Sequence, residues 1–430
     1  AIRMITKKLS QIALTSCVSA AATLAFAQHP QFAFDRQHQK QPSASDDQSG
    51  SLRRHSDERK REEPTAWQFG DPLPDLDAAS LAAFETGHEE FESVEDLEGG
   101  LGPIFNNTSC VACHSAGATG GASDETVTRF GRLVDGVFDG FEDAGGSLLQ
   151  LLAIDPGVQE TVPTEATIVT RRLATPLYGA GLIEAIPDET IRTNALRRKP
   201  EGVAGRVSEI VDVTTGEVRV GRFGWKAQQA TLLAFSAEAY RNELGVTNRF
   251  FPLESAPNGR TDLLEIYDQV PDIEDETDPE TGLSDSDHLA NFARFLAPPP
   301  PLRKSASALA GEKVFEKIEC SACHTAVMYT GPNPVAALSD QPVRLFSDLL
   351  LHDMGALGDG IAQDGAQQRE MRTAPLWGLR VRTSFLHDGR ASSVTEAIQA
   401  HAGEAARAQQ MFSSLDAVEQ QQLLDYLGSN

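Results

Sequence analysis

The chain has 430 residues, of which 40 % are hydrophobic and 23 % charged, and its formal net charge at pH 7 is −25. A chain of this length can form two ordinary domains, each with a core of its own. The strong negative charge excludes nucleic acid as the main partner, because proteins that bind nucleic acid present a basic surface.

Residues 1–27 have the pattern of a secretory signal peptide. Lys7 and Lys8 belong to a basic start, an apolar stretch follows, and Ala-Phe-Ala at 25–27 supplies a cleavage site. This pattern predicts an exported, periplasmic protein. Residues 28–66 are polar, mixed in charge and without apolar periodicity, so they are predicted to be a disordered linker. No later segment approaches the roughly 18 consecutive apolar residues that indicate a membrane span.

The five cysteines have a specific arrangement. Cys17 lies in the signal peptide, and the other four form two C-x-x-C-H motifs, at 110–114 and 320–324. Two thiols at this spacing attach a c-type haem, and the adjacent histidine becomes an axial ligand of the iron. A structural zinc site or a redox disulfide would leave both histidines unexplained. The sequence therefore predicts two covalently bound haem c groups, attached at Cys110, Cys113, Cys320 and Cys323, with His114 and His324 as iron ligands.

The two motifs belong to halves that repeat one another. Ile-Phe at 104–105 precedes the first motif, and Val-Phe at 314–315 precedes the second. Downstream, Thr-Pro-Leu at 175–177 corresponds to Ala-Pro-Leu at 374–376. The first cysteines lie 210 residues apart, from 110 to 320, and the two prolines 199 apart, from 176 to 375. Similar offsets at separate landmarks indicate a duplicated module.

A run of four prolines at 298–301 ends a helical pattern and acts as a stiff spacer. We therefore predict an N-terminal haem c domain over residues 67–300 and a C-terminal cytochrome-c-like domain over residues 301–430. Apolar residues at helical spacing dominate both, whereas valines alternate around a turn at 210–220. The predicted fold class is mainly α, with two cytochrome-c-like domains, long irregular connections and a small β-hairpin.

The halves differ in the residues that could complete the coordination of iron. In the first half only His88 and His288 could join His114, and neither has apolar neighbours that suggest a haem pocket. The first iron is therefore predicted to be open, as peroxide chemistry requires. In the second half His401 follows a capping box that begins at Ser393, and it shares a helical face with apolar residues. Spacing alone leaves two alternatives for His401, an iron ligand or an ordinary core histidine.

Four further segments accompany the haem motifs: GLGP at 100–103, GRFGWKA at 221–227, LHDMG at 351–355 and FLHDGR at 385–390. Together they resemble the bacterial di-haem c-type oxidoreductase family, whose members are described as peroxidases or thiol oxidoreductases. The resemblance covers residues 84–430. More distantly, the chain is similar to di-haem cytochrome c peroxidases and to the di-haem enzyme that matures methylamine dehydrogenase.

The resemblance implies roles for particular residues. In those relatives the sixth ligand of the second haem lies 14 residues after the histidine of a His-x-Gly segment, a position that His401 occupies here. Met354 is the alternative ligand. The peroxidases have methionine at this position, and methionine raises the potential of a haem, so a histidine ligand implies a lower one.

The first haem is the active site of those relatives, with an acidic side chain near the iron. Glu184, between apolar neighbours, is therefore the candidate catalytic residue for proton transfer. Its alternative is a glutamate at a helix start or in a salt bridge. Trp225 and Trp377 are candidates for relaying electrons between the haems, or they are large core residues.

These observations predict a periplasmic di-haem oxidoreductase of peroxidase type. Hydrogen peroxide would react at an open first haem, and the second haem would carry electrons to or from a small redox protein. The alternative is a di-haem electron-transfer cytochrome without a substrate of its own. The acidic run at 272–287 is predicted to be a solvated loop, and calcium is its weaker alternative because the spacing is not that of a known calcium loop.

Overall fold

A computed structural model describes residues 67–430, so the predicted signal peptide and linker lie outside the described residues. Of the described residues, 35 % are helical and 15 % lie in strands that form several small sheets. The prediction of a mainly α fold was wrong, and the chain combines helices with short strands. Within this range no helix is both long and apolar enough to cross a membrane.

The helices begin at conventional capping residues. Asp77, Thr231 and Ser393 each accept a hydrogen bond from a backbone N–H of the helix that follows, which satisfies a donor without an intrahelical partner. A π-helix, Tyr240–Leu244, continues directly from the helix that Thr231 caps. The α-helices are α1 (Ala78–Glu92), α2 (Cys110–Cys113), α3 (Ala180–Glu184), α4 (Asp188–Leu196), α5 (Leu232–Ala239), α6 (Thr261–Tyr267), α7 (Asp285–Phe295), α8 (Ala306–Lys317), α9 (Val394–Gln399), α10 (Ala406–Ser413) and α11 (Ala417–Gly428).

The strands are mostly two to four residues long and pair antiparallel. They are β1 (Ile104–Phe105), β2 (Thr126–Val134), β3 (Val137–Asp139), β4 (Leu148–Leu149), β5 (Leu152–Ala153), β6 (Ile168–Leu173), β7 (Ser208–Val211), β8 (Val218–Gly221), β9 (Met328–Tyr329), β10 (Pro342–Val343), β11 (Leu351–Asp353) and β12 (Glu370–Arg372). The largest sheet has the order β3-β2-β4, with β6 also paired to β2, and the other pairs are β1 with β5, β7 with β8, β9 with β10 and β11 with β12. The predicted hairpin is confirmed as β7–β8, in which Val211 lies opposite Val218.

The sequence analysis did not predict the β2–β6 pair. It is continuous from Thr126, opposite Leu173, to Gly131, opposite Ile168. The first three residues of β2, Thr-Val-Thr, are all β-branched, which favours a strand. Phe130 on this strand is buried, whereas its neighbour Arg129 lies on the opposite face. That opposite face forms part of the wall of a cavity.

The larger hydrophobic core contains the packing of α1 against α7. At Gly87 a Cβ atom would lie 2.2 Å from the carbonyl oxygen of His288, so only glycine allows this approach. Beside it, the rings of Phe91 and Phe292 lie 4.6 Å apart. This core also includes residues beyond 301, among them Trp377. The domain limits at 300 and 301 remain a prediction.

A second core consists of residues between 314 and 427. It includes residues of α8, the helix before the second haem motif, and of α11, the last helix of the chain. At Gly311 a Cβ atom would lie 1.8 Å from the carbonyl oxygen of Gln422, which explains how closely these helices pack. The rings of Phe315 and Tyr426 meet edge to face with centroids 5.5 Å apart.

Candidate functional site

Each C-x-x-C-H motif lies at a cavity. The first cavity, lined by Cys110, Cys113 and His114, contains about 1470 Å³ of space free of protein atoms, including the part open to solvent. Its walls come from β2, β6, α5 and the π-helix that follows α5. The side chains of the two cysteines and of the histidine therefore face one shared space.

The second C-x-x-C-H motif lines a cavity of similar size. Cys320, Cys323 and His324 line a space of about 1450 Å³, again including the part open to solvent. The helix α9 and the segment after it form another side of this cavity and bring His401 to it. Met354 also lines the second cavity, so the structure places both predicted candidates for the sixth ligand there.

Three of these histidines have the same hydrogen-bond arrangement. The Nδ1 atom of His114 lies 3.1 Å from the carbonyl oxygen of Gly121, that of His324 2.9 Å from Phe346, and that of His401 2.7 Å from Ala397. A carbonyl oxygen can only accept, so each Nδ1 donates and each Nε2 keeps a free lone pair. Such orientation of an imidazole by its other nitrogen is typical of metal-binding histidines.

Burial lowers the pKa of His114 and of His324 to about 4, so both rings are neutral at physiological pH. A neutral ring is the form that binds a metal. Burial also raises the pKa of the Cys110 and Cys320 thiols to about 12. These buried thiols are therefore protonated in the absence of a bound group.

The two cavities differ in the side chains that could reach an iron from the far side. Among the residues that line the first cavity, His114 is the only histidine and there is no methionine. His88 and His288, the two candidates from the sequence, do not line it. In the second cavity His352, His387 and Met371 accompany the two predicted ligand candidates.

A repeated loop precedes α5 and α9. In the first half Phe223 and Gln229 form an antiparallel bridge, and in the second half Phe385 and Ala391 form the same bridge. Both residues of the second bridge lie 162 positions after their counterparts, from 223 to 385 and from 229 to 391. This offset is smaller than the 210 and 199 residues at the cysteines and prolines, because the first half contains insertions between these landmarks. The sequence analysis missed the repeated loop for this reason.

The same offset continues into the helices. Thr231 caps α5 and Ser393 caps α9, again 162 residues apart. At this offset the counterpart of His401 is Ala239, and each of the two residues lines the cavity of its own half. The position that presents an imidazole to the second cavity therefore presents a methyl group to the first.

Trp225 lies between the cavities and lines both of them. Its indole Nε1 donates to the carbonyl oxygen of Leu173 over 2.8 Å. At the offset of 162 its counterpart is His387, and the two rings are in edge-to-face contact. Trp377, the other candidate for electron transfer, is buried in the larger core and lines neither cavity.

Glu184 does not line either cavity. Its Oε1 accepts a hydrogen bond from the backbone N–H of Leu232 over 2.7 Å, and its Oε2 pairs with Nε of Arg294 over 2.8 Å. This carboxylate therefore caps the start of α5 and neutralises an arginine. The geometry matches the salt-bridge alternative for Glu184, and its catalytic role remains a prediction.

Other charged side chains line the first cavity. Glu238 is adjacent to Ala239 on α5, and burial raises the pKa of its carboxyl group. Arg129 lies on the β2 wall, and its Nε atom is buried without a hydrogen-bond partner among the described residues. Glu243 also lines the cavity but is engaged by Asn106, whose Nδ2 donates to it over 2.7 Å. The repeated loop is the sequence signal that could have located Glu238.

Two residues of the acidic run at 272–287 lie close to a third carboxylate. Glu254, Asp272 and Glu274 bring carboxylate oxygens within 4.8 Å of one another. Acidic surfaces form such groups without an ion, so calcium binding remains a prediction.

A family model described as "Di-haem oxidoreductase, putative peroxidase" matches residues 157–430. The chain belongs to this di-haem oxidoreductase family. The matched part contains the second C-x-x-C-H motif, Trp225, Ala239 and His401, and the first motif lies before it. No curated protein sequence matches the chain.

Several solved structures are similar to this member of the family. Hydrazine synthase of Kuenenia stuttgartiensis is 14 % identical, with a TM-score of 0.40 over 91 % of this chain and 100 % of that chain. A variant of a di-haem peroxidase from Burkholderia thailandensis is 13 % identical, with a TM-score of 0.34 over 82 % and 86 % of the two chains. A MauG-like protein associated with microbial copper homeostasis is 14 % identical, with a TM-score of 0.30 over 63 % and 92 %.

Proposed function

We propose that this member of the di-haem oxidoreductase family is an exported c-type peroxidase. In this proposal Cys110 and Cys113 would hold the haem at which hydrogen peroxide is reduced, and Cys320 and Cys323 would hold the haem from which the electrons come. The observation that carries this assignment is the difference between Ala239 and His401 at equivalent positions of the repeat. The methyl group of Ala239 would leave the first site accessible to substrate, whereas the imidazole of His401 would bind the metal at the second.

The residues present fit two c-type haems. Each cavity combines two thiols, a neutral histidine with a free Nε2 and enough space for a large planar group. Bound haem would supply an iron that cycles between oxidation states. His114 and His324 serve as the ligands next to the attachment sites, and His401 completes the second site.

The first cavity contains the groups that peroxide reduction needs. Glu238, next to the open position, takes a proton from the entering hydrogen peroxide and returns it to the oxygen that leaves as water. Arg129 lies on the facing wall, where its guanidinium stabilises negative charge on the substrate. Overall, hydrogen peroxide takes up two electrons and two protons and yields two molecules of water. We assign the proton transfer to Glu238 because the carboxylate of Glu184 is already engaged by Leu232 and Arg294.

Trp225 provides the path between the two sites. It lines both cavities and contacts His387 at the second one. Electrons from the second haem therefore pass this indole on their way to the first. The ultimate donor is a small redox protein, and the charge of −25 favours a basic one. The signal-peptide pattern supports a reaction in the periplasm.

The test uses the exported holoprotein. Mass spectrometry should give the mass of the mature chain plus two haems, and the resting visible spectrum should contain a high-spin component. Hydrogen peroxide should change that component rapidly and oxidise a reduced electron donor. Two low-spin irons that stay indifferent to peroxide, before and after reduction of the second haem, would support the electron-transfer cytochrome instead.

A further inference from the structure

His352 is a buried residue of the β11 strand that lines the second cavity. Its Nδ1 atom lies 2.7 Å from Oε2 of Glu404, and its Nε2 atom lies 3.1 Å from Oδ2 of Asp348. Because an ionised carboxylate can only accept, both ring nitrogens must donate. His352 is therefore an imidazolium with one positive charge.

Both carboxylates have the partners that keep them ionised. Asp348, which is 1 % exposed, also accepts from Nζ of Lys199 over 2.5 Å. Glu404 accepts from the backbone N–H groups of Ala204 and Gly205 over 2.9 and 3.2 Å. Although burial alone would raise it, hydrogen bonds from His352 and Lys199 hold the pKa of Asp348 at about 2.

This cluster touches the second haem motif directly. The Nδ1 atom of His352 lies 3.7 Å from Sγ of Cys323, the sulfur proposed to hold the haem. Nζ of Lys199 donates to the carbonyl oxygen of Ala322 over 2.9 Å. The backbone N–H of Asp348 donates to the carbonyl oxygen of Cys323, also over 2.9 Å. Glu404 follows His401 by three residues.

The four charges cancel. Lys199 and His352 contribute two positive charges, and Asp348 and Glu404 contribute two negative ones. Inside a protein the effective dielectric is low, so an uncompensated charge at this distance acts strongly on a redox centre. Without the charge of His352 the cluster would be negative by one unit, which would stabilise the oxidised form of the iron.

We propose that His352 is the buried counter-cation of the second haem, whose charge prevents Asp348 and Glu404 from lowering the reduction potential of that haem. This inference rests on the proposed attachment of haem at Cys320 and Cys323. It gives the second haem a means to accept electrons from a donor although two histidine ligands favour a low potential.

The experiment is a spectroelectrochemical titration of the second haem in the full holoprotein. We expect His352→Gln to lower its midpoint potential and Glu404→Gln to raise it. The double variant restores a net charge of zero and should return the potential towards that of the wild type. Asp353→Asn is the matched control, because this neighbouring carboxylate is exposed and paired with Arg369, so solvent screens the change.

If the role of His352 is purely structural, the midpoint potential of the double variant should differ from that of the wild type at least as much as that of His352→Gln does. That result would overturn the proposal. If His352→Gln does not fold, the potential of Glu404→Gln alone tests the proposal. An unchanged midpoint potential in Glu404→Gln contradicts the inference. Peroxide turnover is measured separately. A protein that binds two haems but does not react with peroxide refutes the proposed function and leaves the titration valid.

Discussion

The indole of Trp225 and the imidazole of His387 meet edge to face, with ring centroids 6.2 Å apart. The two residues occupy the same position of a loop that occurs once in each half of the chain. The backbone of Leu173 joins them a second time, since its carbonyl accepts from Trp225 and its N–H donates to the carbonyl of His387 over 2.7 Å. The two cavities are therefore connected through one side-chain contact and one strand residue.

Replacing Trp225 by Phe should slow electron transfer between the haems, because the indole lines both cavities and the smaller ring widens the gap. Losing the hydrogen bond to Leu173 should also cost about 1 kcal/mol of stability. Stopped-flow spectroscopy of the half-reduced protein after addition of peroxide measures the transfer. Trp377→Phe is the control, since Trp377 is buried but lines neither cavity. Equal rates in the two variants would contradict this path.

Replacing Ala239 by His should close the first iron, because we propose that His401 closes the second iron from the equivalent position of the repeat. We expect the high-spin component of the resting spectrum to disappear and the reaction with hydrogen peroxide to stop. Ala239→Ser provides a control of similar size that lacks a strong ligand atom, and it should retain both properties. A variant that stays high-spin with an ordered imidazole would show that this position does not face the iron.

The choice of ligand at the second iron can be tested with two variants. His401→Ala should convert the second haem to a high-spin form, because it removes the imidazole whose Nε2 is free for the metal. Met354→Leu should leave the low-spin spectrum unchanged. Electron paramagnetic resonance of the oxidised protein separates the two haems. The reverse pattern would make Met354 the ligand.

Glu238→Gln should reduce the rate constant for the reaction with peroxide by about 10²–10⁴-fold, the usual contribution of a positioned acid–base group. Glu184→Gln should leave that rate constant close to the wild-type value. It should instead lower the stability by about 1 kcal/mol, because it weakens the contacts with Leu232 and Arg294. Stopped-flow kinetics and thermal unfolding of both variants distinguish the roles, and a large kinetic effect of the Glu184 change would restore that residue as the acid.

Glu254 should make the folded protein less stable as the pH rises. Burial raises the pKa of its carboxyl group from the ordinary value of 4.5 to about 8, with further contributions from the nearby charges of Glu274 and Asp268. Between these values the folded chain binds a proton that the unfolded chain has lost, so the free energy of unfolding decreases with pH. Glu254→Gln should therefore raise the midpoint of thermal unfolding relative to the wild type at about pH 9 but much less at about pH 5. Glu280→Gln, at an exposed position, should not produce this difference.

The sequence was sufficient where a feature is local. The two C-x-x-C-H motifs are continuous in the chain, and each lies at a cavity. The helix before His401 begins at a capping residue that spacing alone identifies, and it brings the histidine to the second cavity. Similarly, the valine alternation at 210–220 was enough to predict the hairpin.

The sequence was insufficient where distant segments meet. Arg129 and Glu238 line the same cavity but lie more than a hundred positions apart, on a strand and a helix. Apolar neighbours made Glu184 resemble a pocket acid, yet a buried ion-pair partner has the same neighbours. The fold class was misjudged because most strands here are too short to show the alternation that identifies a strand.

The equivalence of Ala239 and His401 also bears on how such an enzyme can arise. In the proposed function, two copies of one building block differ through the side chain at a single site. A methyl group would make one copy the place where substrate is consumed, and an imidazole would make the other a store of electrons. Specialisation after duplication would then need one decisive exchange of side chain, with the surrounding framework kept in common.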